Sequence, residues 1–518
     1  MAKIQRALVT VEDKTGVAEF AQRLADLEVE IIATGGTGRL LRESGIEALD
    51  VSEYTGFPEI LEGWLRTLHP KLVAGLVARR DQAEHLRDLE QHGIRTIDMV
   101  VVNLYPFLDT ISQPGLPMMR AIDNIDVAGP TLVRAAAKNY THVAVVTNPA
   151  EYDSVAMEME HSGGELSEET HFQLALEAFR HTARYDMMIA RQMTGIHGPE
   201  EGLPATLLLE LEKRMDLPRR ETRGRPAAFY VEKRQGECSI GNSCLVNGQE
   251  PSFADVLDLD AGMALGKELD RPAAVFAAQG QVCGAGTADD LPDAFERALA
   301  LPGLRGGRCG LVLNRPLDPA VAAAIVSAGR GLVSAVAATG QDEQALDVFR
   351  QQDEWRDLPV LETLPLAVSP GDERALGMTR VGGGFLVKHG GPAFLMPEDL
   401  QEPGRTADVR LAWACARHAP PIAAALVTDE ALTGLSHGCP SVEYALKRCL
   451  ADVAGEASGS VAAVNRPLEG REQVGRLAEA GVQIVVQPEG GGAEEEIVQA
   501  ADRLGSVTIL TARPQPAR

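Results

Sequence analysis

Several things are scarce or missing in this chain, and each absence excludes something. No apolar run approaches the ~18 residues that a membrane-spanning helix needs. The opening residues, MAKIQRALVTV, have no basic stretch leading into a long apolar core and a small-residue cleavage site. The expectation is a cytoplasmic protein with no membrane partner. Cysteine is sparse: there are 7, the first is Cys238, and none forms a C-x-x-C pair. That pattern suits neither a disulfide framework nor a zinc site, so no metal is expected. Positive charge is in deficit, with 49 Lys and Arg against 74 Asp and Glu and a formal net charge of -25. Such a surface repels nucleic acid in bulk, and any anionic small molecule must be held by a few placed groups. Low-complexity tracts and short internal repeats are also missing, as is a G-x-G-x-x-G dinucleotide fingerprint.

What is present is an ordinary globular composition, 45% hydrophobic and 24% charged. At 518 residues the chain is too long for one core, so two or more domains are expected. The runs RALVTV, EIIAT, MVVVNLY and HVAVVTN are continuous apolar strands, as in a parallel sheet covered on both faces. Between the first two, Val17, Phe20, Ala21 and Leu24 recur at helical spacing, with Asp13 placed to cap the helix and Gly16 in its first turn. Strand, crossover helix and parallel strand follow. Residues 165–195 read as two helices, and residues 196–227, of mixed charge and interrupted periodicity, as a linker with a bridging helix. The domains expected are 1–195, then the linker, then a second, glycine-rich α/β region over 228–518.

Four segments of the first domain carry chemistry. D-K-T-G at 13–16 and A-T-G-G-T-G at 33–38 lie at strand-to-helix turns. There, free N–H groups and the helix dipole face an anion, Lys14 adds charge, and Thr15, Thr34 and Thr37 add hydroxyls around Gly35 and Gly36. G-W-L-R-T-L-H-P-K at 63–71 holds Arg66, Thr67, His69 and Lys71 in a loop able to close over a negative ligand. N-L-Y-P-F at 103–107 ends the strongest strand, where open α/β sheets bind ligands. In the run from 124 to 139, Asp126 precedes a helix starting near Pro130, with Arg134 and Lys138 on one face. Taken singly, each has a plainer reading: a tight turn with a solvated lysine, an exposed basic loop, a packed aromatic before proline, and a solvated helix face with a capping carboxylate. Together they are far more specific.

The run of D-K-T-G, T-G-G-T-G, E-Y-T-G-F-P-E, T-L-H-P-K, N-L-Y-P-F, N-I-D and R-A-A-A-K-N resembles the family of bifunctional aminoimidazole carboxamide ribotide (AICAR) transformylase/inosine monophosphate (IMP) cyclohydrolase, densely across residues 5–195. The resemblance implies a methylglyoxal-synthase-like, doubly wound parallel sheet in the first domain and a cytidine-deaminase-like α/β fold in the second. It implies a homodimer and an IMP cyclohydrolase, a hydrolase acting on cyclic amidines, that takes formylated AICAR without metal or cofactor. By the same resemblance, Tyr105, Asp126, Lys138, Asn139 and Arg66 form the catalytic cluster. Asp13, Lys14, Thr15, Thr34, Gly35, Gly36, Thr37 and Thr67 bind substrate. Arg66 stands where the family has lysine, Trp64 where it has a basic residue, and Ala128 where it has glycine.

The second half resembles the transformylase in its scaffold segments, such as C-G-L-V-L-N-R-P-L-D at 309–318, but departs at the chemistry. The family's K-H-T-N-P-C-G reads A-Q-G-Q-V-C-G, so its lysine and base histidine fall on Ala278 and Gln279. K-S-N-A falls on A-P-P-I at 419–422, R-Y-G-E-N-P-H-Q on C-S-I-G-N-S at 238–243, and the basic tail on R-P-Q-P-A-R at 513–518. Formyl transfer needs a base and an oxyanion-binding cation, with His389, His418 and His437 the remaining histidine candidates. The leading reading is a cyclohydrolase with a vestigial second half. The alternatives are the full bifunctional enzyme with a rearranged site for 10-formyltetrahydrofolate, or a nucleotide-binding scaffold or sensor without turnover.

Overall fold

The structure, a computed structural model, describes residues 3–61, 66–104, 122–194, 202–218, 224–232, 238–367, 376–389, 402–453 and 457–512. It separates into two compact units, Met1–Leu209 and Glu210–Arg518.

The first unit is built on five strands, β1 (Arg6–Val9), β2 (Glu30–Ala33), β3 (Leu49–Asp50), β4 (Met99–Val101) and β5 (Ala144–Val146), in the order β3-β2-β1-β4-β5. Every neighbouring pair is parallel. The helices are α1 (Val17–Asp26), α2 (Gly35–Glu43), α3 (Val51–Thr55), α4 (Pro70–Val77), α5 (Ala83–Gln91), α6 (Ala128–Lys138), α7 (Tyr152–Ser162) and α8 (Glu168–Thr194). Continuous apolar strands bury both sheet faces. One core joins Val9, Ala33 and Val101 to Phe20, Leu24 and Tyr152, and the other joins Leu8, Ile32 and Val100 to Leu72, Leu132 and Val133. The strand order reverses direction between β1 and β4, and that crevice, beyond the carboxyl ends of the strands, is where such sheets bind ligands.

Three local expectations are corrected. Asp13 does not cap α1: its carboxylate accepts the N–H of Thr15, closing a turn, and left-handed Gly16 precedes the helix. Residues 168–194 form one continuous helix rather than two, because that stretch contains neither glycine nor proline to break it. The segment expected as linker carries strand β6 (Glu212–Leu217), paired antiparallel with β7 (Ala227–Val231).

The second unit holds an 11-stranded mixed sheet whose topology repeats. Strands β8 (Cys244–Asn247), β9 (Ala273–Ala278), β10 (Gln281–Thr287), β11 (Cys309–Leu313), β12 (Val333–Ala338) and β13 (Val360–Glu362) lie on one side, while the exposed hairpin β14 (Leu376–Val381) and β15 (Gly384–His389) stands apart. The other side is β16 (Ala424–Thr428), β17 (Ala431–Ser436), β18 (Val461–Val464), β19 (Ile484–Pro488) and β20 (Thr508–Ala512). Each copy is a hairpin followed by three helix-linked parallel strands. The order β20-β19-β18-β16-β17-β10-β9-β11-β12-β13 mirrors one copy onto the other across β10 and β17. Before each hairpin runs a helix, α9 (Phe253–Gly266) or α13 (Thr406–His418); α10 (Leu291–Ala298), α11 (Pro319–Ala328) and α12 (Glu343–Arg350) fall between them. The side-chain bonds repeat as well. Asn314 accepts from Ala273 N–H and donates to Leu269 and Arg271 carbonyls, and Asn465 accepts from Ala423 N–H and donates to Ala416 and Ala419 carbonyls. Each asparagine opens an Asn-Arg-Pro-Leu run ending in Asp318 or Glu469.

Candidate active site

A cavity of about 550 Å³ opens at the β1/β4 crevice, lined by Thr10, Glu12, Arg66, Thr67, Asn103 and Asp126 among others. Its floor comes from the strand ends. Asn103, following β4, accepts the N–H groups of Glu12 (2.6 Å) and Asp13 (3.0 Å) and donates to the Asp13 carbonyl (2.9 Å), so one side chain fixes the whole loop after β1.

One end of the site suits an anion. Helix α2 starts at Gly35, and by helix geometry its first N–H groups have no partner within the helix. The hydroxyls nearby are engaged with the protein: Thr34 meets Thr10 at 2.8 Å, while Thr37 bonds both the N–H and carbonyl of Val11. They shape the loop, leaving backbone N–H groups to face a ligand. Lys14 turns back to donate to the Val11 carbonyl. Burial lowers its pKa, with the Arg66 charge acting in the same direction against Glu12 and Asp13. Arg66 reaches over the helix start, so that a Cβ on Gly35 would lie 2.9 Å from its Nη1, and it stands 3.8 Å from Glu59. Two cations beside a helix N-terminus repel one another, and an anion placed between them relieves that repulsion.

The other end holds Asp126. Its carboxylate accepts the N–H of Gly129 at 2.8 Å and is bonded by that of Ala128, at the first turn of α6. Burial raises its pKa against those two amides and the Arg66 charge. A carboxyl held above its ordinary range can exchange a proton nearer neutrality. Gly129 is required by space: a Cβ there would lie 2.2 Å from Asp126 Oδ2 and 2.8 Å from Leu104 Cδ2. Ala128 replaces the family's glycine without such a clash, since it simply opens the helix.

Not every expected residue meets here. Lys138 ends α6 and is exposed, and ten helical steps at ~1.5 Å place it about 15 Å from the start of that helix, where Asp126 lies. Asn139 is buried with its amide nitrogen donating to the Leu76 and Ala78 carbonyls, which ties α6 to the end of α4 and directs the amide away from the cavity. His69 caps α4, its Nδ1 accepting the Lys71 N–H at 3.1 Å. Asp13 and Thr15 form the turn that presents Lys14. Tyr105 and Trp64 lie outside the described residues. Thr10 was not singled out from the sequence, and Asn103 entered only as the first residue of the N-L-Y-P-F segment, without a role of its own.

In the second unit, Gln279 and Gly280 form the tight β9–β10 turn with φ of 54° and 71°, and Asp258 of α9 accepts the Gly280 N–H. The equivalent turn, Asp429 and Glu430 with φ of 50° and 61°, is held through the Glu430 N–H by Asp408 of α13. Ala419 is buried just after α13. Of the histidine candidates, His418 is bound to Glu268 (2.8 Å), which also pairs with Arg417; His437 is exposed. The side chain of His389 and residues 513–518 lie outside the described residues.

Two family models match the chain: an MGS-like domain over residues 16–131 and the AICARFT/IMPCHase bienzyme over residues 136–452. The bifunctional purine biosynthesis protein PurH of Halalkalibacterium halodurans is 36% identical over 516 residues, 98% of each chain. Among solved structures, that of ForH is 34% identical and covers 36% of this chain and 98% of its own, with a TM-score of 0.34. A dCMP deaminase from the cyanophage S-TIM5 is 15% identical over 17% of this chain and 79% of its own, with a TM-score of 0.14.

Proposed function

Because the chain belongs to the bifunctional purine biosynthesis (PurH) family, we propose that its first unit closes the second ring of IMP from formylated AICAR, the chain acting as a homodimer. The observation that carries this reading is a cavity lined by Arg66, Thr67 and the largely buried carboxyl of Asp126, from which Arg66 reaches over the start of α2 beside Lys14. The substrate phosphate sits at the start of α2 and the reacting carboxamide near Asp126. The carboxamide nitrogen is a weak nucleophile, so the chief contribution is to hold it against the formyl carbon. As the C–N bond forms, Asp126 takes the nitrogen's proton and returns it to the formyl oxygen, whose developing negative charge is stabilised by nearby cationic and N–H donors until it becomes a hydroxyl. That hydroxyl then leaves as water with the hydrogen of the former formamide nitrogen, which completes the aromatic ring. Within one chain, Lys138 lies at the exposed end of α6 and Asn139 is bonded to the Leu76 and Ala78 carbonyls, so this scheme routes the proton through Asp126 alone.

The second unit has two readings. Relatedness along 98% of a protein named bifunctional favours formyl transfer there as well. Ring closure alone is favoured by Ala278, Gln279 and Ala419, none of which exchanges a proton near neutrality, so these residues do not fit the family's formyl-transfer chemistry. A spectrophotometric assay of each half-reaction on the purified full chain decides. Conversion of formylated AICAR to IMP is expected, and tight nucleotide binding without that conversion would overturn the proposal. Folate-dependent formylation of AICAR establishes the bifunctional reading, and its absence alongside active ring closure establishes the narrower one.

A further inference from the structure

Asp126 is gripped from a direction that neither the sequence motif nor the cavity reveals. Its carboxylate is held by amides at the start of α6, but its own backbone N–H donates to the hydroxyl of Tyr185, 2.8 Å away and 59 residues further along the chain. Tyr185 lies on α8, only 3% exposed, in the same core as Leu104, Leu132, Val133 and Ala178. The ring therefore has almost no freedom to move, and its hydroxyl marks a fixed point beside the catalytic loop. Helix α8 also reaches the far end of α6, where His171 Nδ1 meets the Tyr140 carbonyl at 2.6 Å. One helix thus fixes the chain before α6 and the chain after it.

We infer that Tyr185 is a positioning residue for ring closure: by accepting the Asp126 N–H it sets the peptide plane from which the Asp126 carboxylate is aimed. The inference rests on the reading of Asp126 as the proton-accepting group. A carboxylate has to be placed to within a fraction of an ångström of the nitrogen it serves. The amides of Ala128 and Gly129 fix only the distal end of that side chain. With the peptide N–H released, the loop between Ile122 and Ala128 can rotate about those amides and swing the carboxyl without breaking them. Tyr185 touches no reacting atom in this scheme. Its effect falls on turnover rather than on affinity, which is governed by the phosphate end.

The test is Tyr185→Phe, which keeps the ring and deletes only the hydroxyl, assayed for ring closure beside Asp126→Asn and Leu174→Ala in the full chain. Leu174 is buried on α8 in the opposite core and serves as a control for loss of helix packing. Tyr185→Phe is expected to lower kcat about tenfold while KM stays within about twofold, the pattern of a lost transition-state alignment. Leu174→Ala is expected to melt earlier yet turn over at the wild-type rate. The inference falls if Tyr185→Phe matches wild type, if KM rises as much as kcat falls, or if Leu174→Ala loses kcat to the same degree. Should Asp126→Asn remain fully active, the reading of the site falls and the inference with it; should it be inactive while Tyr185→Phe is normal, only the inference falls.

Discussion

Arg66 lies between the start of α2 and Asp126, its guanidinium close to Gly35, and its charge acts to lower the pKa of both Lys14 and Asp126, although burial still holds Asp126 above its ordinary range. The family's lysine would bring the same charge as a compact point rather than a planar fork. Arg66→Lys is therefore expected to keep turnover within about tenfold of wild type, since the charge is retained and only its geometry changes. A complete loss of activity in that variant would show that Arg66 is not where the cavity places it. Asp126 makes a statement about pH. Burial raises its pKa, and it must be ionised to accept a proton, so ring closure should fall as pH drops through a value above the ordinary carboxylate range. The sign for stability is the reverse. Above that raised pKa the buried charge opposes folding, and acidification through it relieves the cost. A kcat profile whose acid limb lies in the normal carboxylate range would contradict this picture of Asp126.

At the scale of elements, the strands β1, β2, β4 and β5 were plain in the sequence because a parallel strand buried on both faces needs an unbroken apolar run. Helix α1 was equally plain from Val17, Phe20, Ala21 and Leu24, all buried as their spacing required. The anion-binding start of α2 followed from glycines at a strand-to-helix turn. Less could be read where an element carries residues apart. Asp126 and Lys138 share one motif, yet the rise of α6 separates them by its full length. Asn139, adjacent to Lys138, turns inward to bond carbonyls that no local pattern announces. Tyr185 had no signal at all, because its role depends on α8 crossing a loop 59 residues earlier. In the second unit the duplicated topology was hidden by divergence: the Asn-Arg-Pro-Leu runs survive because each asparagine bonds three backbone groups, while the surrounding apolar residues need only be apolar.

At the scale of the whole molecule, the two copies in the second unit meet along β10 and β17, where the register gives one pair, Gly286 with Ala431. Glu430 fastens that seam: its carboxylate accepts from Thr287 Oγ1 (2.8 Å) and Arg271 (3.0 Å) and forms an ion pair with Arg297 (3.2 Å), and its carbonyl takes the Thr287 N–H. Glu430→Gln removes the charge and is expected to speed deuterium uptake at Gly286, Thr287 and Ala431 while leaving Leu311 and Val485 protected and ring closure unchanged. Uniform uptake across the sheet would show that the seam is no weaker than its surroundings. The sheet has two unlike faces. On one, Phe276, Phe295 and Phe349 pack within the first copy, and Leu446, Leu477 and Ile497 within the second, with no residue shared between those cores. On the other, α9 and α13 bury Met263 and Trp413 in one core drawn from both copies. Mutational drift should accordingly run at two tempos in the descendants of this duplication: the divided face lets each copy change alone, and the common face admits a change in one copy only when the other follows.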